Sequence, residues 1–330
     1  MGSTATRPGF RGSLCVPMNC TTCGSSAIGA YLRPSVGQLL QCASCKAVFL
    51  SPEAQETAAE SVYSQDYFTE REGYFFHDGV VDGSGQESAH VADFRAGLSL
   101  IEAQGLRTGT LLDVGCATGS FLTVARAMGW ECRGVEVSAF AAAQARERTG
   151  CEVFAGRLED APFGSAAFDV ITMWDLLEHL PDPLRGLETA RRLLKPSGLL
   201  LVNTPNENSL LRLVARFLYR GSGGRFTAPV NHLYHRYHLY YFAAETLKVL
   251  FRRAGFELVE MRVKPIPPSR GRIPAATKAA MKILSVAARL LNAEYELMLL
   301  ARNPGPAALS AVPDTGARAP DPGSPQARSA

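Results

Sequence analysis

The sequence predicts an α/β protein in which one doubly wound sheet of seven strands follows a small cysteine-rich module. Three observations lead there. From residue 110 onward, short apolar runs alternate with amphipathic helical segments, the pattern of parallel strands with helices on both faces. Four of the eight cysteines fall in two C-x2-C pairs before residue 50. The chain has 330 residues, 46% of them hydrophobic and 20% charged, enough for one substantial core and an appendage.

Residues 1–19 read as a flexible lead and 20–50 as the module. Eighteen residues separate the pair Cys20 and Cys23 from the pair Cys42 and Cys45, which is the spacing of a zinc ribbon. Each pair can sit on a tight turn with both sulfurs toward one ion, and Gly24 supplies the backbone freedom such a turn uses. Four thiolates close the shell, so Zn²⁺ is expected to be structural and to supply folding free energy that a segment this short cannot draw from a core. Two disulfides are the alternative, but they need an oxidising compartment. The N-terminus lacks the apolar core of a secretory signal, and no apolar run reaches the roughly 18 residues of a membrane span. A cytoplasmic location is therefore expected. Cys116, Cys132 and Cys151 read as packing residues.

Residues 51–107 form a connecting helical region carrying an aromatic stretch, VYSQDYF, and a Gly-rich turn, DGVVDGSGQ. The strand–helix alternation then runs TLLDVG, SFLTVARAM, ECRGVEV, AFAAAQARER, CEVFAG, FDVITMW, PLRGLETARRLL and GLLLVN. A helix at ETLKVLFRRAG, a strand FELVEMRV, an Ala-rich helix near 274–292 and a last strand YELMLLAR complete a main domain over 108–302. Residues 303–330 are dominated by Pro, Ala, Gly and Ser and read as a disordered tail.

TLLDVGCATG, residues 110–119, is a strand that ends near Asp113 and passes through Gly115 and Gly119 into a helix. Glycine lets the main chain approach a ligand, and the helix start offers unpaired N–H groups. The next strand ends in Glu136, 23 residues beyond Asp113, where an acid can accept both hydrogen bonds of a ribose diol. A tight structural turn beside a surface glutamate is the plainer reading of either half alone; together they favour a nucleotide-type cofactor.

At this point the chain resembles the class I S-adenosylmethionine-dependent methyltransferases, whose fold is Rossmann-like. The resemblance covers residues 108–302 in five ordered blocks: DVGCATG, GVEVS, GRLEDAPFGSAAFDVITMWDLLEHLPDP, RRLLKPSGLLLVNTPN and YYFAAETLKVLFRRAGFELVEM. It implies S-adenosylmethionine as cofactor, with Asp113, Gly115, Cys116 and Gly119 around its aminoacyl end and Glu136 and Val137 at the ribose. It also implies Leu158 near the adenine and Trp174 lining the pocket. Ala117 replaces a glycine common in the family. Arg157 stands where many relatives carry the acid that contacts adenine, a task left to Glu159 or to backbone near Leu158.

For the proton released on methyl transfer, His179 in DLLEHL is the first candidate base, and His232 and His238 in VNHLYHRYHLYYF are the next. Backbone-bonded or packing histidines are the plainer reading. In ENSLLRLVARFLYR, residues 207–220, Arg212, Arg216 and Arg220 recur every fourth residue, with Leu213, Val214, Phe217 and Leu218 on another face. That basic helix is expected to be a lid, a solvated flank or a peripheral membrane contact, and its arginines would suit an anionic acceptor.

The net charge of +3 selects no partner. Residues 1–60 hold four basic residues against three acids, a poor phosphate-binding surface that argues against nucleic acid. Methyl transfer to a small molecule through an O, N or C atom is therefore the leading reading. A zinc-ribbon RNA methyltransferase and a non-catalytic S-adenosylmethionine-binding scaffold are the alternatives.

Overall fold

The computed structural model describes residues 19–55, 89–235, 237–265 and 275–305. VYSQDYF, DGVVDGSGQ, the first eighteen residues and the tail from 306 lie outside them. The main sheet has seven strands in the order β10(Glu257–Lys264), β11(Glu296–Arg302), β8(Leu194–Pro205), β7(Phe168–Trp174), β4(Thr110–Val114), β5(Glu131–Glu136), β6(Glu152–Ala155). From β8 to β6 all neighbours are parallel. The alternating run thus forms parallel strands as expected, and β11, which lies beyond that run, is antiparallel between β8 and β10.

Why these runs look continuously apolar in sequence is plain from the two cores. Leu111, Val170, Leu199, Leu201, Met298 and Leu300 point to one face, where α1(Ala89–Glu102), α2(Ser120–Ala127) and α3(Ala139–Thr149) pack. Their immediate neighbours Leu112, Ile171, Leu200, Val202, Leu297 and Leu299 point to the other, against α4(Pro183–Leu193) and α7(Ala244–Arg253). Side chains alternate across a strand, so burial on both faces removes the polar half of the alternation. Local chemistry fixes the helix starts: Ser138 caps α3 by accepting from the Ala141 amide, and Asp182 caps α4 ahead of Pro183 by accepting from that of Arg185.

The cysteine module forms an antiparallel sheet with β1(Ile28–Leu32), β2(Leu39–Cys42) and β3(Val48–Leu50), and its fourth strand comes from far along the chain. Val48 and Phe49 pair with Tyr241 and Tyr240 of β9(Tyr240–Tyr241). The Leu50 amide donates to Leu239 O, Thr246 Oγ1 to Cys45 O, and Arg253 Nη1 to Thr21 O. The appendage of the sequence reading is thus woven into the main body. At the other end, Asn303 is buried and its amide donates to the carbonyls of Arg191, Leu194 and Lys195, so the folded body includes the first residues of the expected tail.

The helix α5(Leu210–Gly221) contradicts the expectation most sharply. Its arginine face turns inward: Arg212 and Arg216 are buried, whereas Leu213, Val214, Phe217 and Leu218 are exposed. The cause is Glu207, buried just before the helix. Its carboxylate accepts from Arg212 Nη1 at 3.1 Å, Arg216 Nη1 at 2.7 Å, Tyr234 OH at 2.8 Å and Tyr31 OH at 2.9 Å. The Arg212 guanidinium also lies 5.0–5.5 Å from the ring centres of Tyr241, Tyr234 and Tyr295, a cation–π cage. A buried charge persists only when paired and hydrogen-bonded.

Candidate functional site

Strand order reverses at β4, with β5 on one side and β7 on the other, and open sheets of this kind bind ligands beyond the carboxyl ends of the strands at that point. A cleft of about 460 Å³ lies there, lined by Val114, Gly115, Glu136, Val137, Leu158 and Glu159, and closed on the far side by Leu176 and Leu180. Its size falls in the range of small-molecule sites, roughly 300–1,000 Å³.

The turn after β4 is built for close approach. Gly115 has φ 73° and Ala117 φ 48°, and a Cβ on Gly115 would meet Leu176 Cδ1 at 2.9 Å. Gly119 (φ 85°) instead admits α3: a Cβ there would lie 2.8 Å from Thr149 Cγ2. Glu136 ties the turn to the second strand, its Oε2 accepting from the Ala117 amide at 3.0 Å and its Oε1 from the Ser138 amide at 2.9 Å. Burial pushes this carboxyl above its ordinary range, opposed by those amide bonds. The bare main chain at Gly115 and a carboxylate already oriented by two amides suit a cofactor with a ribose, and the residues present are compatible with S-adenosylmethionine.

Gly115, Glu136, Val137, Leu158 and Glu159 therefore meet in one cleft, while four other expected residues do not line it. Asp113 is buried within β4, accepting from Thr172 Oγ1 at 2.7 Å, and burial pushes its carboxyl up to about 8. The thiol of Cys116 packs beneath the turn, 2.7 Å from where a Cβ on Gly134 would sit. Gly119 serves helix packing. Trp174 does not line the cleft and packs edge-on against Phe94 and tilted against Phe121, ring centres 4.9 and 5.3 Å away; it is the last residue of β7, where side-chain alternation sends it toward α1.

Beyond Leu176 the chain makes a short 3-10 turn, Leu177–His179, that faces β9. Here the structure brings His179, His235 and His238 together: ring centres are 4.7 Å apart for His179–His238 and 4.0 Å for His235–His238. His179 Nδ1 donates to Tyr237 O at 2.5 Å, which leaves Nε2 as the basic nitrogen of the neutral ring. His232 sits elsewhere, exposed on α6(Ala228–Leu233).

The residue that sequence reasoning missed is Glu178. It is buried, Oε2 accepts from Thr204 Oγ1 at 2.8 Å, and Oε1 lies 4.0 Å from His238 Nε2. Burial raises its carboxyl well above the ordinary range. The acid beside the histidine in DLLEHL was the available signal. Asp175 adopts φ 47°, accepts from Asn203 Nδ2 at 2.8 Å, and is pushed up to about 7 by burial and then by Glu296. A strained, non-glycine residue at a strand's carboxyl end is a mark of functional sites.

In the module the four thiols converge. Cys20 and Cys45 lie 3.6 Å apart, as do Cys23 and Cys42, and all four sulfurs fall within 4.8 Å of one another. Tetrahedral zinc with Zn–S near 2.3 Å would set sulfurs about 3.8 Å apart, so the geometry is compatible with the ion.

Residues 87–261 match the family model described as a methyltransferase domain, just over half of the chain. The chain belongs to the methyltransferase domain family. A Mycobacterium tuberculosis protein named "Probable S-adenosylmethionine-dependent methyltransferase" is 30% identical over 152 residues, 46% of this chain and 50% of that one. The ubiquinone biosynthesis O-methyltransferase of Paraburkholderia xenovorans is 29% identical over 146 residues, 40% of this chain and 58% of the relative. This methyltransferase-family chain thus spans about half the length of these relatives. Among solved structures, an S-adenosylmethionine-dependent methyltransferase from Mesorhizobium loti is similar over 65% of this chain and 98% of its own, at 19% identity and a TM-score of 0.45.

Proposed function

We propose that the protein transfers a methyl group from S-adenosylmethionine to a small-molecule acceptor. The observation that carries this reading is the cleft at the switch point, where bare backbone at Gly115 faces the amide-held carboxylate of Glu136. Glu136 would grip the ribose hydroxyls, the Gly115–Ala117 turn would receive the aminoacyl end, and Leu158 and Glu159 would border the base. When bound, the cofactor supplies a methyl group on a positively charged sulfur, an electrophile already activated. The protein's own work is then alignment, exclusion of water and removal of one proton.

His179 takes that proton in this reading. The carbonyl of Tyr237 fixes its tautomer, and the ring of His238 packs edge-on against it. The buried arginines do not serve an anionic acceptor, because Glu207 already occupies them. Cys20, Cys23, Cys42 and Cys45 would hold a structural Zn²⁺ that stiffens the sheet into which β9 pairs, and through it the segment bearing His235 and His238.

With an accepted small-molecule substrate, His179→Ala is expected to lower kcat by at least about tenfold while leaving S-adenosylhomocysteine affinity within about twofold. Unchanged turnover would remove His179 from the chemistry. Failure of the wild type to consume S-adenosylmethionine with any hydroxyl, amine or carbon acceptor, while it binds the cofactor, would favour the scaffold reading.

A further inference from the structure

The helix α8(Ala275–Leu290) packs against α5, and the two together leave an apolar face uncovered. Among the described residues, eight of the twelve large apolar side chains recorded as exposed lie on these helices or immediately after α8. Leu213 and Phe217 stand one helical turn apart on α5, and Ile283, Val286 and Leu290 recur at helical spacing on α8. Phe217 is 76% exposed, Ile283 72% and Leu290 82%. An apolar patch of this extent marks an interaction surface. The sequence would place such stripes inward; on α5 the Glu207–Arg212–Arg216 network turns the stripe out.

What covers the face is indicated by charge. Arg212 and Arg216 are spent on Glu207, but neither residues 208–244 nor residues 265–293 contain any Asp or Glu. Arg220 near the end of α5, Arg225 after the turn that follows it, and Arg289 on α8 are exposed. Exposed apolar residues accompanied by three exposed arginines, with no acid in either segment, match a helix pair lying in the plane of an anionic bilayer. A second copy of the chain fits less well, since a two-fold contact would lay one basic rim against the other. No described helix is long and apolar enough to cross a membrane, so the contact is interfacial.

We propose that α5 and α8 form a docking surface for an anionic lipid bilayer, with Phe217 and Leu290 entering the acyl boundary and Arg220 and Arg225 at the headgroups. The inference rests on this face alone and does not require the proposed chemistry.

The test is flotation of the full chain with vesicles of phosphatidylcholine alone and of phosphatidylcholine mixed with phosphatidylglycerol. The protein is expected to float with the mixed vesicles and to be released by salt. Phe217→Ser combined with Leu290→Ser should cut partitioning roughly tenfold or more, with circular dichroism unchanged. Arg220→Glu combined with Arg225→Glu should abolish the preference for anionic vesicles. Should the serine pair fail to fold, Phe217→Ser alone serves. The proposal is overturned if the wild type floats with neither vesicle, if the serine variants float as the wild type does, or if sedimentation shows a dimer that the serine variants dissolve while vesicle binding is absent.

Discussion

The two halves of the sheet's carboxyl edge are built by different means. On the β4–β5 side every contact that shapes the cleft is local or nearly so: the turn Gly115–Gly119, and an acid nineteen residues from the amide it holds at Ala117. On the β7–β8 side the shaping contacts join residues far apart in sequence, such as Tyr31 with Glu207, Cys45 with Thr246, and His179 with Tyr237. One half presents bare backbone at Gly115 and a carboxylate held by two amides. The other is assembled from buried polar groups that depend on one another.

Disruption of the module should separate the halves most strongly. Cys20→Ser combined with Cys45→Ser is expected to abolish bound zinc, read by elemental analysis, and to lower the thermal midpoint more than any single change elsewhere, because structural zinc supplies on the order of 10 kcal/mol in small modules. Hydrogen exchange should then accelerate through residues 237–242, which pair with β3, and remain slow through 110–114. Equal acceleration in both segments would break the distinction.

Next in size is the ion cluster under α5. Arg212→Met leaves the Glu207 carboxylate buried with a partner removed and should cost about 3–5 kcal/mol in a urea titration, whereas Arg220→Met, at an exposed position on the same helix, should cost less than about 1 kcal/mol. Similar losses would mean that the inward arginine face contributes nothing special.

The third effect is on pH dependence. Asp113 has a folded-state value raised by burial to about 8 from about 3.8, so its contribution to stability is fully present below about pH 4 and is lost as pH rises toward 8. Glu136, Asp175 and Glu178 are shifted in the same direction. The thermal midpoint is therefore expected to fall over that interval, and Asp113→Asn should reduce the slope without abolishing it. A midpoint that rises with pH would contradict the burial of these carboxyls.

The strands, the glycine turn and Glu136 were legible because they obey short-range rules: alternation, capping, and the freedom of glycine. Trp174 was misplaced because periodicity does not say which face of a strand's last residue meets the ligand. The face of α5 was inverted because a helix's arginines normally mark solvent, and only the tertiary placement of Glu207 with three tyrosines reverses that preference. Glu178 is marked in the sequence only by its place beside His179, and the burial that makes the acid as informative as the base is a tertiary property. The antiparallel β11 could not be read at all, as strand direction is set by the path of the chain and not by the strand's own residues.

Titration calorimetry with S-adenosylhomocysteine, on the wild type and on Glu136→Gln, tests the central claim most directly. Saturable binding by the wild type, weakened roughly tenfold to a hundredfold by the loss of one charged hydrogen-bonding group, is the expected result. Absence of heat with the folded wild type, or equal affinity in the two proteins, would contradict it.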